Sequence, residues 1–238
     1  MEVLPGAPAE PVVVERAAGA GGELVLRRAG ADYEIISNGV FLMDTRNGES
    51  ERLLVRAAVE GLASPARVLI GGLGVGFSLA EALRLPQVAQ VTVVEREPAV
   101  IAWHAGALCP WSRGGLDDPR VSVERADLLD VVAGPAAGTF DALCLDIDNG
   151  PHWTVTPGNA RLYGADGLDL LARRLTARGT LAVWSAGAAP GFEELLRRRF
   201  ARVQARAVPV PRGEPDVVYL AREPLPDGPA SAPSTEDG

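Results

Sequence analysis

The chain has 238 residues, nearly half of them apolar, and a formal net charge of −8 at pH 7. That length suits one α/β domain with a small appendage, and the negative charge argues against nucleic acid or an anionic membrane as partner, because phosphate-rich surfaces would be repelled. All 23 basic side chains are Arg and none is Lys, which excludes a Walker-type phosphate lysine and Schiff-base chemistry. Cys109, Cys144, His104 and His152 fall at no zinc-ligand spacing, so no metal is expected. Cys144, inside the apolar run DALCLD, reads as a buried small hydrophobe.

Taken in order, residues 1–22 are rich in Ala, Gly and Pro and read as a flexible leader, in which Pro11 to Glu15 could add an edge strand. Acidic and proline residues stand where a secretory signal needs basic ones, and no apolar stretch reaches the roughly 20 residues of a membrane span, so a cytoplasmic location is expected. Residues 23–62 form a second unit. ELVLRR (23–28), DYEIIS (32–37) and VFLMD (40–44) are short alternating runs separated by Gly30 and an Asn38-Gly39 turn, which predicts a small antiparallel β appendage. From Gly48 to Leu62 the period becomes helical, with Leu53, Leu54, Ala57, Ala58 and Leu62 on one face.

Residues 63–223 carry the main domain. Val68-Leu69-Ile70 reads as a buried strand, and Gly71, Gly72, Gly74 and Gly76 clear side chains from a turn that opens into a helix near Phe77. Such a turn lets backbone N–H groups approach a nucleotide-like cofactor. Its spacing is G-x-G-x-G, with Phe77 where a dinucleotide fingerprint needs its third glycine, which counts against NAD. AQVTVVE ends on Glu95, roughly 20 residues past the turn, where a ribose diol would be held. RVSVERAD (120–127) predicts a third strand ending at Asp127, and TFDALCLDID (139–148) a fourth ending at Asp146 and Asp148. Successive strands delivering carboxylates to one edge of an open parallel sheet point to function, since ligands bind there.

The loop NGPHWTVTPGNARLY (149–163) brings Asn149, His152, Trp153, Asn159 and Tyr163 to that edge as pocket-wall candidates. A helix from Asn159 to about Leu175, a strand GTLAVWSAG and a helix over 190–200 follow. RVQARAVPV and DVVYLARE then close the sheet with an antiparallel edge strand, and residues 224–238 read as a disordered tail.

Over roughly residues 23–222 this pattern resembles the spermidine-synthase-like family of class I S-adenosylmethionine (SAM)-dependent transferases. The matching stretches are VLIGGLGVG (68–76), VVERE (93–97), RAD (125–127), LDIDNGP (145–151) and PGNARLY (157–163). The resemblance implies a Rossmann-like fold with a mostly parallel seven-stranded sheet and one antiparallel edge strand. It also implies that Gly72, Gly74 and Gly76 face the methionine part of the cofactor, Glu95 the ribose and Asp127 the adenine amino group. Asp146 would lie beside the reacting centre as cofactor contact and catalytic group, with His152 as second catalytic candidate. Asp148, Asn149, Trp153 and Tyr163 would meet the acceptor. A homodimer is the usual form of that family.

The departures steer the chemistry. The family's aminopropyltransferases carry an aspartate in the glycine turn that binds the aminopropyl amine of decarboxylated SAM; here that place is Val75. Their Tyr-His pair gives way to Ser50 and Glu51, a glutamine of the N-terminal strands to Leu42, and the D-x-x-D acid pair shortens to Asp146-Ile147-Asp148. With no acid at position 75, intact SAM becomes the expected cofactor, and methyl transfer to a small molecule, such as an amine, the expected reaction. Aminopropyl transfer from decarboxylated SAM is the alternative, followed by a non-catalytic SAM-fold binding protein and by transfer of the aminocarboxypropyl arm.

Overall fold

The structure is a computed structural model and describes residues 10–62, 65–135, 138–154 and 156–226. Residues 1–9 of the expected leader and 227–238 of the expected tail lie outside it. The chain opens with four antiparallel strands, β1 (Val12–Gly19), β2 (Gly22–Ala29), β3 (Asp32–Ser37) and β4 (Val40–Asp44), each paired with the next. Residues 12–19 thus form a strand where the composition suggests a leader, because β2 offers a full antiparallel partner from Gly22 to Arg28. The β3–β4 hairpin turns at Asn38 (φ 49°) and Gly39 (φ 79°), a pair suited to a tight turn with two positive φ values. The Asn38 side chain then donates to Gly21 O (2.8 Å) and accepts from Glu23 N (2.9 Å), tying the two hairpins together.

Helix α1 (Glu49–Val59) follows and turns Leu54, Val55 and Ala58 inward, with Ser50 and Glu51 on the same buried side. The main sheet then builds up. β5 (Ala66–Gly71) leads into α2 (Phe77–Arg84), β6 (Val88–Val94) and α3 (Pro98–Trp103), and the short α4 (Cys109–Ser112) precedes β7 (Val121–Glu124). α5 (Leu128–Ala133), β8 (Phe140–Leu145), α6 (Ala165–Arg173), β9 (Leu175–Ser185), α7 (Pro190–Arg199), β10 (Phe200–Val208) and β11 (Asp216–Pro224) complete it. The seven strands run β10-β11-β9-β8-β5-β6-β7, and β11 alone is antiparallel to its neighbours, one place in from the edge.

Strand alternation divides the apolar residues between two cores. Val68, Ile70, Ala142 and Cys144 pack with α1, α2, α3 and the N-terminal strands, while Leu69, Leu143 and Leu145 pack with α5, α6 and α7. Two boundaries differ from the sequence pattern. β7 ends at Glu124, and Asp127 is instead the N-cap of α5, accepting from Leu129 N at 2.9 Å. The helix expected from Asn159 is a 3-10 segment, Pro157–Tyr163, broken from α6 by extended backbone at Gly164. Among the described residues no helix is long and apolar enough to cross a membrane.

Candidate active site

The carboxyl ends of β5, β6 and β8 open into one cavity of about 680 Å³. The N-terminal strands wall it with Leu24, Ile35, Phe41 and Met43, and the β10–β11 connection covers it from Val210 to Glu214. Its floor is the glycine turn. Gly72 has φ +90°, and a Cβ there would lie 2.2 Å from the carbonyl oxygen of Asp146, so any larger residue would push β5 and β8 apart. Gly76 caps α2 with φ +96° and leaves room for His104, whose Nε2 lies 2.9 Å from Gly74 O. Burial holds the His104 pKa below its ordinary value, so the ring is neutral and donates to that carbonyl.

At one end of the cavity the acids are held by the backbone. Glu95, 8% exposed, accepts from Leu73 N (2.9 Å) and Glu97 N (2.8 Å), one bond to each oxygen. Burial raises its pKa while these amides oppose the rise. The amides orient both oxygens and leave further lone pairs for two ligand hydroxyls. Asp127 lines the same end beside Leu128, with Arg96 Nη1 3.8 Å from its carboxylate.

The other end is electrostatically different. Asp146 Oδ2 accepts from Ser78 Oγ at 2.9 Å, and Ser50 Oγ lies 2.9 Å from Glu51 Oε2 and 2.7 Å from Asp216 Oδ2. Burial, then repulsion by Asp146, pushes the Glu51 pKa up to about 8. Burial pushes Asp146 up to about 6 against the Ser78 hydrogen bond, with the Asp216 charge adding to the rise. Asp216 is likewise raised by burial. A carboxylate whose pKa sits near neutrality can take a proton from a nucleophile as it reacts.

Of the residues singled out in the sequence, Gly72, Gly74, Glu95, Asp127, Asp146, Asp148, Asn149 and Trp153 line this cavity. Gly76 lies just behind it as the cap of α2. Two do not belong. Tyr163, 4% exposed, packs edge-on against Phe192 and donates to Ile147 O at 3.1 Å, so it belongs to the core and not to an acceptor subsite. His152 is exposed and does not line the cavity; its Nδ1 lies 3.3 Å from Ser185 Oγ, so the structure does not bring it to the site as a second catalytic group. Asp148 lines the wall but is occupied in shaping the loop: at φ 55° it accepts from Thr156 N and from Asn159 Nδ2. Glu51 and Asp216 were missed. A charged residue on the apolar face of α1 was a legible sign for Glu51; nothing local marked Asp216.

Fold and cavity together define an α/β domain whose open, mostly parallel sheet carries a cavity at its carboxyl edge, the place where such sheets bind ligands. The chain is 35% identical over 180 residues to the polyamine aminopropyltransferase of Mycobacterium tuberculosis (strain ATCC 25618 / H37Rv), covering 74% of this chain and 33% of that protein. It is 30% identical over 107 residues to putrescine N-methyltransferase 1 of Nicotiana tabacum, covering 44% of this chain and 28% of that one. The solved spermidine synthase of Thermotoga maritima superimposes with a TM-score of 0.72 over 89% of this chain and 73% of its own, at 18% identity. No protein-family model matches.

The chain belongs to the spermidine-synthase-like family, and spans about a third of the length of the curated relatives it matches. These relatives correct the methyltransferase expectation: the longer match is named for aminopropyl transfer, and the methyltransferase match is confined to 107 residues. The physical source of the error is Val75. It is fully buried and does not line the cavity, so the lack of an acid there says nothing about the charge of the site.

Proposed function

We propose that the chain catalyses transfer of the aminopropyl group of decarboxylated SAM to an amine acceptor. The observation that carries this reading is Asp146 beside the glycine turn in a cavity shared with Glu95 and Asp127, within a stretch matching a polyamine aminopropyltransferase. The residues present suit such a donor. Glu95, oriented by two amides, would accept from the ribose hydroxyls, Asp127 would face the adenine amine, and the cavity residues Val100, Leu128 and Ile147 would give the base an apolar surround. The donor supplies a sulfonium leaving group and a methylene carbon open to displacement.

The chain's own part is positioning and proton handling. Amine nitrogen attacks the methylene carbon, the carbon–sulfur bond breaks, and its electron pair neutralises the sulfonium, leaving methylthioadenosine. The nitrogen sheds one proton, for which Asp146 is the base, held in place by Ser78. The apolar wall from the N-terminal strands excludes water and strengthens charge interactions inside. The test is incubation with decarboxylated SAM and a series of diamines while methylthioadenosine is measured. Diamine-dependent release is the expected result; no release with any amine would overturn the reading.

A further inference from the structure

The hydroxyl of Ser50 stands between two acids and has one proton to give. It is within hydrogen-bond distance of both Glu51 Oε2 (2.9 Å) and Asp216 Oδ2 (2.7 Å). Both contacts are hydrogen bonds only when one of the two carboxyl groups carries a proton and donates it to Oγ, while Oγ donates to the other. The pair therefore stores a proton in place of a counter-cation. No Arg, Lys or His lies within ion-pair distance of Glu51, Asp146 or Asp216 among the described residues.

The surrounding charged groups do not supply one either. Arg52 stacks over Phe77, Arg46 is engaged by Glu34 and Asp44, and Arg212 lines the cavity from the exposed β10–β11 connection beside Glu214. Asp146, at the end of β8, adds a third negative group. Independent of these acids, Asn149 lines the cavity at 6% exposure, and its side-chain amide makes no hydrogen bond among the described residues. A buried amide left open in the same cavity as two acids that share a proton is suited to a compact multi-donor cation. His, Cys, Asp and Glu form no group of three arranged to hold a metal among the described residues, which favours an organic cation.

We propose that Glu51 and Asp216, bridged by Ser50, anchor a primary ammonium group of the reacting amines, which enters in exchange for the shared carboxyl proton. The identity of those amines rests on the aminopropyl-transfer reading. The balance is simple: the ammonium stays protonated, both carboxyls become carboxylates, and one proton passes to solvent. The ammonium belongs either to the aminopropyl arm of the donor or to the far end of a diamine acceptor. Both present the same chemistry.

The test is calorimetric titration at pH 7, in buffers of different ionisation enthalpy, with putrescine, butylamine, decarboxylated SAM and methylthioadenosine. Wild type, Asp216→Asn and Glu51→Gln are compared. In wild type, one ammonium ligand releases close to one proton on binding; both variants weaken it at least tenfold and abolish the release, while methylthioadenosine binds equally to all. If the affected ligand is putrescine and not butylamine, the anchor takes the acceptor's far end; if it is decarboxylated SAM, it takes the donor. Unchanged affinity and proton release in both variants, with melting temperatures at or above wild type, would overturn the proposal. Methylthioadenosine release in turnover assays is read separately: turnover with unaffected variants sinks the anchor alone, and proton-linked binding without turnover sinks the transfer reading alone.

Discussion

The two ends of the cavity carry similar numbers of acids, yet they differ in what satisfies them. Glu95 and Asp127 are met by backbone amides of Leu73, Glu97 and Leu129, donors that folding itself delivers to the strand ends. Glu51, Asp146 and Asp216 face one another around the hydroxyls of Ser50 and Ser78, with no cation at ion-pair distance among the described residues. Amides hold a carboxylate's orientation whether or not a ligand is present; hydroxyls leave the repulsion between acids in place. The proposed nucleoside end is thus pre-organised, and the proposed amine end keeps an electrostatic imbalance that a cation would relieve.

The comparison breaks most sharply at Asp146. Asp146→Asn lowers aminopropyl transfer by about 10²–10⁴-fold if Asp146 is the base, with methylthioadenosine affinity little changed; steady-state rates and a binding titration check both. Gly72→Ala strikes the junction between the two ends. Its Cβ would meet Asp146 O in a backbone conformation disfavoured for Ala, so denaturant unfolding shows a loss of about 2–4 kcal/mol.

At the proposed nucleoside end, Glu95→Ala strands two buried amides and removes the proposed ribose acceptor. Methylthioadenosine binding weakens by about 1–3 kcal/mol in a calorimetric titration, and thermal stability falls with it. The amine end responds in the opposite sense. Glu51 has a higher pKa folded than unfolded, so the native state holds more protons between about 4.5 and about 8, and stability contributed at low pH is lost as pH rises through that window. Glu51→Gln removes that dependence and stabilises the unliganded protein at pH 8 by on the order of 1–2 kcal/mol, read as a flatter melting temperature against pH. The smallest effect is at Tyr163, where the Phe substitution loses one hydrogen bond to Ile147 O. It costs about 0.5–1.5 kcal/mol of stability and leaves the acceptor KM unchanged.

The sequence by itself determined the frame of the site. Strand periodicity and the glycine turn place β5, β6 and β8 side by side, and each of Glu95, Asp127 and Asp146 follows its strand to the same edge because parallel strands end together. Local spacing is enough for that, since every contact involved follows from one strand–turn–helix unit repeated. Tyr163, His152 and Val75 were misplaced because an aromatic, an imidazole or a missing acid near an edge does not reveal which way its side chain points. Only the tertiary structure decided the end built from Glu51, Asp146 and Asp216. Ser50 and Asp216 are separated by 166 positions, and their meeting depends on α1 packing against the end of an antiparallel strand inserted from the far end of the chain. A hydrogen bond of that range has no local period to announce it, and the chemistry it creates belongs to the fold as a whole.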